Sequence, residues 1–247
     1  MLTSLESLRN NFNINPKGIV HIGAHNGEES IEYDQMGWYP VVWVEAIPSL
    51  AEALKLRLDS SKNRVIQALV WSESGLNLEF KVASQTMASS VFPFGTHADL
   101  YPKILEQSVL KLSSIRLDEI LKPEENIDLV ILDIQGSELN ALHGLGHRIK
   151  EVKWIYTEVS KGNLYQGGAR LNELDAFLKS KGFKRVSTRI LRGEGWGEAL
   201  YISNQAMKLA TMQGKSRAWV ADLRFFISQM VYATRYFLSK LIGRSKN

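Results

Sequence analysis

The stretch Ile19-Val20-His21-Ile22-Gly23-Ala24-His25-Asn26-Gly27-Glu28-Glu29-Ser30 constrains the fold of this chain more than any other. A short apolar run enters it, two glycines four residues apart punctuate it, and a helical pattern carrying Ile31, Met36 and Trp38 leaves it. This is the pattern of a buried strand, a tight turn and a helix start. Glycine admits positive φ and lets a ligand approach the backbone closely. The helix start offers unpaired N–H groups at a positive dipole end. Such a turn suits a nucleotide-like ligand. It also suits a plain βα connection with nothing bound, and two glycines alone do not separate these readings.

The rest of the chain repeats the rhythm. Residues 3–13 read as a lead helix stopped by Pro16, and Lys17–Gly23 as the first strand. Glu28–Gly37 reads as helix, and Val41–Glu45 as a second strand apolar on both faces. Pro48 opens a helix through Leu58 at the first-turn position proline favours. Arg64–Val70 is expected as one strand, and alternation marks another at Leu76–Val82. Residues 83–102 show no periodicity and read as a long polar and aromatic loop, with order returning in a short helix at Leu117–Leu121. Then follow a strand at Ile127–Asp133, a helix at Gly136–Leu145 and a strand at Trp154–Val159. An amphipathic helix at Leu171–Lys181 ends on Gly182. A strand pair, Phe183–Ile190 and Ala199–Ser203, closes the domain around Arg192-Gly193-Glu194-Gly195. Strands alternating with helices at this spacing imply βαβ units and a parallel sheet.

Charge divides the chain in two. Residues 206–247 carry eight Lys/Arg and the single acid Asp222, while the other 205 residues carry 22 basic and 25 acidic side chains. The net +4 therefore belongs to the tail, which disfavours a nucleic-acid groove across the main domain. The division predicts a domain at 1–204 and a basic helical extension at 205–247. Between Ala218 and Ile242 the residues Trp219, Leu223, Phe226, Ile227, Met230, Val231, Phe237, Leu238 and Leu241 form a wide apolar stripe, with Arg217, Arg224 and Arg235 toward the other side. That amphipathic helix would pack on the domain, pair with a second copy as a homodimer, or lie on an anionic membrane surface. With no cysteine in the chain, disulfides and thiolate chemistry are excluded. The opening residues lack a signal-peptide pattern and no apolar run reaches spanning length, so the expected location is cytoplasmic, with peripheral contact at the inner face of a membrane as an option.

Three expected strands end in acids at one sheet edge: Glu45, Asp133 and Glu158. Ligands of open parallel sheets sit at the carboxyl ends of the strands. Glu45 lies 18 residues past Gly27, where an acid would accept both hydroxyls of a ribose, or would cap the next helix. Asp133, Glu158 and His97 are the candidate catalytic groups, as bases for an acceptor proton. A metal at Asp133, Glu138 and Glu158 is conceivable on charge alone, and no metal is expected. His143 and His147 read as surface or helix-capping histidines. Acceptor-side candidates are Ser89, Ser90, His97 and Tyr101 in the long loop, and Asn163, Tyr165 and Gln166 after the Trp154–Val159 strand.

With these residues in place, the chain resembles the FkbM family of S-adenosylmethionine-dependent methyltransferases across roughly residues 17–204. The resemblance rests on His21-Ile22-Gly23-Ala24-His25-Asn26-Gly27, on Val44-Glu45-Ala46-Ile47-Pro48, and on the Asp-x-x-Gly-x-Glu pattern of Asp133, Gly136 and Glu138 followed by Leu142-His143-Gly144. Ala199-Leu200-Tyr201-Ile202 fits the last strand. It implies a Rossmann-like, mostly parallel seven-stranded sheet with helices on both faces and a reversed last hairpin. It implies that Gly23, Ala24, His25 and Gly27 line the methionine end of S-adenosylmethionine, that Glu45 holds the ribose, and that Asp133 and Gln135 sit beside the sulfonium. Two positions depart from the pattern: His21 stands where methyltransferases often carry an acid, and His25 where the family often has Asn. Glu29 is a stand-in for the missing acid. The expected activity is O-methylation of a hydroxyl on a glycan, sugar or other small polar metabolite. An NAD-dependent oxidoreductase would need a hydride-transfer residue and a fuller glycine fingerprint, and His21 leaves a catalytically silent nucleoside-binding domain open.

Overall fold

The computed structural model describes residues 1–208. The amphipathic helix expected between Ala218 and Ile242, and with it the membrane and dimer expectations, lies outside the described residues. Among the described residues no helix is long and apolar enough to cross a membrane.

The chain runs α1 (Leu5–Phe12), β1 (Ile19–Ile22), α2 (Ser30–Met36), β2 (Val41–Glu45), α3 (Pro48–Arg57), β3 (Asn63–Gln67), β4 (Leu69–Val70), β5 (Asn77–Ala83), α4 (His97–Leu100) and β6 (Glu106–Ile115). It continues through α5 (Leu117–Ile120), β7 (Leu129–Leu132), α6 (Glu138–Gly144), β8 (Trp154–Ser160), α7 (Leu171–Ser180), β9 (Phe183–Ile190), β10 (Trp196–Ser203) and α8 (Asn204–Met207). Seven strands form one sheet in the order β3-β2-β1-β7-β8-β10-β9. Neighbours from β3 through β8 pair in parallel, and β10 reverses direction against both β8 and β9. This is the Rossmann-like sheet with a reversed last hairpin.

The central strands β1, β2 and β7 are buried at every position, which is why they read as continuous apolar runs. Their side chains alternate between two cores. One face carries Val20, Val42 and Val130 against Leu117, Leu142 and Leu174, from α5, α6 and α7. The other carries Ile19, Trp43 and Leu129 against Leu5, Phe12, Tyr33 and Leu54, from α1, α2 and α3. α8, capped by the Ser203 side chain and burying Ala206, spans the domain boundary expected at 204/205.

Two expectations are corrected. Arg64–Val70 is not one strand: after Ala68, whose N–H donates to the Glu45 carbonyl at 3.0 Å, the chain leaves the main sheet. Leu69 and Val70 instead pair with Ser114 and Ile115 in a second, three-stranded sheet ordered β4-β6-β5. Order also returns well before Leu117, because β6 is a ten-residue strand paired antiparallel with β5. Half-exposed β6 alternates Leu110 and Leu112 with Val109 and Lys111, a period-two signal diluted by three serines. The segment between β5 and β6 is not free of structure either. It makes a single turn at Thr86–Ala88 and the short α4, and Phe94 bridges to Tyr165.

Candidate active site

The carboxyl ends of β1, β2 and β7 open onto a cavity of about 250 Å³. Its floor is the turn after β1. Gly23 has φ +82°, and a Cβ there would lie 1.9 Å from the Asp133 carbonyl oxygen, so the strand ends pass too closely for any side chain. The Gly23 and Ala24 N–H groups donate to the Val44 carbonyl at 2.9 and 3.1 Å. Gly23, Ala24 and His25 line the cavity with Glu45, Asp133 and Gln135, and Ile47, Leu69 and Phe80 supply an apolar wall. Gly27 does not line it and backs onto the Leu54 and Arg57 side chains.

Glu45 is buried, with each carboxylate oxygen taking one backbone N–H at 2.8 Å, from His25 and from Ile47. It therefore fastens the β1 turn to the entry of α3 while facing the cavity. Burial raises its pKa, and those two N–H groups oppose the rise. His25 sits at φ +46°, a left-handed position that asparagine tolerates well. Its Nδ1 lies 2.9 Å from Glu28 and its Nε2 2.8 Å from the Thr86 hydroxyl. A carboxylate only accepts, so Nδ1 carries a hydrogen toward Glu28. The ring thus ties the β1 turn to the Thr86–Ala88 turn, a contact with no trace in sequence spacing. His21 points to the other core, 3.0 Å from the Tyr33 hydroxyl and stacked on Trp43 at 4.9 Å; burial lowers its pKa and keeps it neutral. Glu29, the stand-in acid, does line the cavity.

The second half of the site is the turn after β7. Gln135 has φ +52° and Gly136 φ +98°. Glu138 accepts from the Ile134 and Gly136 N–H groups at 3.1 and 3.2 Å, so the acid of the Asp-x-x-Gly-x-Glu pattern staples its own turn. Burial, with the charge of Asp133 adding, pushes Glu138 up to about 7 against those hydrogen bonds. Gln135 Nε2 donates to Asp133 at 2.5 Å and to Glu158 at 2.7 Å. Glu158 is raised well above the usual carboxyl range by burial first, then by the charges of Asp133 and Glu138. It lines a recess of about 30 Å³ that shares His21, Glu29 and Asp133 with the main cavity and adds Tyr156, Trp196 and Glu198. Glu198 sits directly opposite Glu158 in the β8–β10 ladder and accepts from the Leu2 and Thr3 N–H groups at 2.6 and 3.2 Å. The segment before α1 is thereby strapped beside the recess. Among the described residues no group of three or more His, Asp or Glu side chains could hold a metal ion.

The geometry does not bring His97 to the cavity. It is buried against Phe94 at 4.3 Å and Tyr165 at 5.4 Å, its Nδ1 without a partner. Of the acceptor-side candidates, Ser89 lines the cavity, while Ser90 and Tyr165 hydrogen-bond Gln135. Tyr101 bonds Glu194, Asn163 accepts from Arg170 at 2.7 Å, and Gln166 donates to the Phe94 carbonyl at 2.7 Å.

A floor opened by Gly23, a buried acid at the end of β2 and an apolar wall fit a nucleoside cofactor with a polar tail, as an α/β methyltransferase holds it. Residues 21–185 match the methyltransferase FkbM domain, and the chain belongs to that family. It is a methyltransferase whose methyl donor is S-adenosylmethionine. No curated protein matches it by sequence. Solved structures similar to it include a protein of the NADB-Rossmann superfamily from Streptococcus agalactiae, with 15% identity, TM-score 0.45, and 81% of this chain and 69% of that one covered. Magnesium protoporphyrin IX methyltransferase from Synechocystis PCC 6803 shares 12% identity at TM-score 0.43, covering 80% of this chain and 74% of that one. TrmK from M. capricolum shares 12% at TM-score 0.43, covering 83% and 70%.

Proposed function

We propose that the acceptor is a hydroxyl group on a glycan, sugar or other small polar metabolite, making this chain an O-methyltransferase. The observation that carries the reading is the pair of acids Asp133 and Glu158, joined through Gln135 at the edge where the cavity meets the recess. A neutral alcohol is a poor nucleophile until its proton has somewhere to go. S-adenosylmethionine supplies an electrophilic methyl group on sulfur, so what remains for the protein is to orient the acceptor and take that proton. Glu45 would hold the ribose hydroxyls, Ile47, Leu69 and Phe80 the adenine, and the Gly23–His25 turn the methionine end. Glu29 and Asp133 beside the recess repel anions, which favours neutral hydroxyls over phosphorylated acceptors. The test is a thermal-shift series followed by transfer of labelled methyl to panels of neutral and phosphorylated sugars. S-adenosylhomocysteine should raise Tm where NAD does not, because a ligand that binds only the native state stabilises it. Stabilisation by NAD alone, or transfer confined to amines, sinks the reading.

A further inference from the structure

We propose that Gln135 is a positioning residue whose side-chain amide yokes Asp133 and Glu158 into one hydrogen-bonded acid pair. The proposal rests on the O-methyltransferase reading and adds how the proton acceptor is set. The amide has two N–H groups on Nε2, and both are used: one on Asp133 at 2.5 Å, one on Glu158 at 2.7 Å. Its Oε1 takes the Tyr165 hydroxyl at 2.7 Å. That hydroxyl has a second acceptor in reach, the Ala88 carbonyl, but at 3.2 Å. The reverse orientation of the amide would turn its oxygen on two carboxyl groups, so the orientation has one solution. The main chain is fixed as firmly: Gln135 stands at φ +52°, and its carbonyl accepts from Ser90 Oγ at 2.7 Å. A glutamine held at both ends in a left-handed backbone, with every side-chain hydrogen-bonding atom engaged, is built for the two acids it joins.

Glu158 is buried and raised well above the usual carboxyl range, by burial first, so it is the carboxyl of the pair that holds a proton. Tyr165, raised by burial and by the charges of Glu158 and Asp133, stays protonated and keeps donating to Gln135. The other titratable groups facing the pair are Glu138 from α6 and Tyr101 from the end of α4. Across the recess stand His21, neutral through burial, with Glu29, Tyr156 and Glu198. In the transfer, the acceptor oxygen bonds to the methyl carbon as the carbon–sulfur electron pair stays on sulfur. The acceptor proton passes to the Asp133 carboxylate. Gln135 takes no proton in this step; it holds both carboxyls in place and limits how far Glu158 is raised.

The test is a carboxyl ¹³C NMR titration of Glu158, with and without S-adenosylhomocysteine, in wild type, Gln135→Leu, Gln135→Glu and Tyr165→Phe. Removing the amide donors removes what stabilises the charged forms, so the Glu158 midpoint should move up in Gln135→Leu. It should move further up in Gln135→Glu, which adds a negative charge. Tyr165→Phe leaves Gln135 in place but frees its amide, and should shift the midpoint in the same direction by less. A residue that merely packs would leave the midpoint where it is, and an unmoved midpoint in folded Gln135→Leu overturns the proposal. If both Gln135 variants fail to fold, an unmoved midpoint in Tyr165→Phe overturns it instead. Failure of wild type to bind S-adenosylhomocysteine would count against the methyltransferase reading alone, since the titration of the free protein still reports on the pair.

Discussion

Glu138 offers the sharpest quantitative test of this site. Its carboxyl staples the Ile134–Gly136 turn from a buried position beside Asp133, and the same burial raises it from 4.5 to about 7. For an acid whose folded-state pKa lies above its unfolded value, the folded chain holds the proton longer. The stability this contributes is fully present below pH 4.5 and is lost as pH rises through about 7. Each pH unit in that window costs about 1.4 kcal/mol per proton, so the whole window is worth roughly 3 kcal/mol. Glu138→Gln keeps an oxygen for the Ile134 and Gly136 N–H groups and removes the titration. Urea unfolding at intervals from pH 5 to 8 should show wild type losing about 2–3 kcal/mol more than Glu138→Gln over that range. Glu158, raised in the same sense, leaves a residual slope in both proteins. Glu138→Ala separates the staple from the charge. It orphans two N–H groups and should be less stable than Glu138→Gln by about 1–3 kcal/mol at every pH. Parallel stability–pH curves for wild type and Glu138→Gln would refute the argument, because they would mean that Glu138 is already ionised at pH 5 or never ionises by pH 8.

Three further changes probe the rest of the site. Glu45→Ala should weaken S-adenosylhomocysteine binding by roughly 1.5–3 kcal/mol in calorimetry, and should also lower Tm because the His25 and Ile47 N–H groups lose their acceptor. Gly23→Ala places a methyl group 1.9 Å from the Asp133 carbonyl oxygen at φ +82°, so soluble expression or the cooperative melt should be lost; a wild-type melt would show that the strand ends have room to part. Asp133→Asn should lower methyl transfer to the true acceptor by about 10²–10⁴-fold while moving Tm little, and unchanged turnover would remove Asp133 from the chemistry.

What could be read in the sequence was whatever is local and periodic. The continuous runs of β1, β2 and β7 announce strands buried on both faces, and the acids Glu45, Asp133 and Glu158 toward the carboxyl ends of β2, β7 and β8 mark one edge of the sheet. Gly23 reads in the sequence as giving a ligand access to the backbone, whereas what a side chain there would meet is the Asp133 carbonyl of the neighbouring strand. The second sheet was not legible, because β4 is two residues long and β6 hides its alternation among serines. Least legible were contacts made across many residues by side chains with several roles. Thr86 meets His25, Tyr165 meets Gln135, and Leu2 meets Glu198, at separations of 61, 30 and 196 residues.

Those long-range contacts share a physical logic. His25 and Gln135 are two of the three non-glycine residues at positive φ in the described chain, and they stand in the turns that follow β1 and β7. Such a conformation costs of order 1–3 kcal/mol at each position unless surrounding structure over-determines it. Here the surroundings do so from the same source. The segment joining β5 to β6 reaches back with Thr86 to the His25 ring and with Ser90 to the Gln135 carbonyl. The stretch that lacks periodicity in the sequence therefore holds both turns at the cavity in shape. Periodicity is the mark of burying one face against a core, whereas this segment is selected atom by atom for what it touches. Weakening it should loosen the cofactor site before it unfolds the sheet. Thr86→Val, which removes a hydroxyl at nearly constant volume, should raise the S-adenosylhomocysteine Kd with little change in Tm of the free protein. Equal losses in both would mean that the segment is part of the core after all.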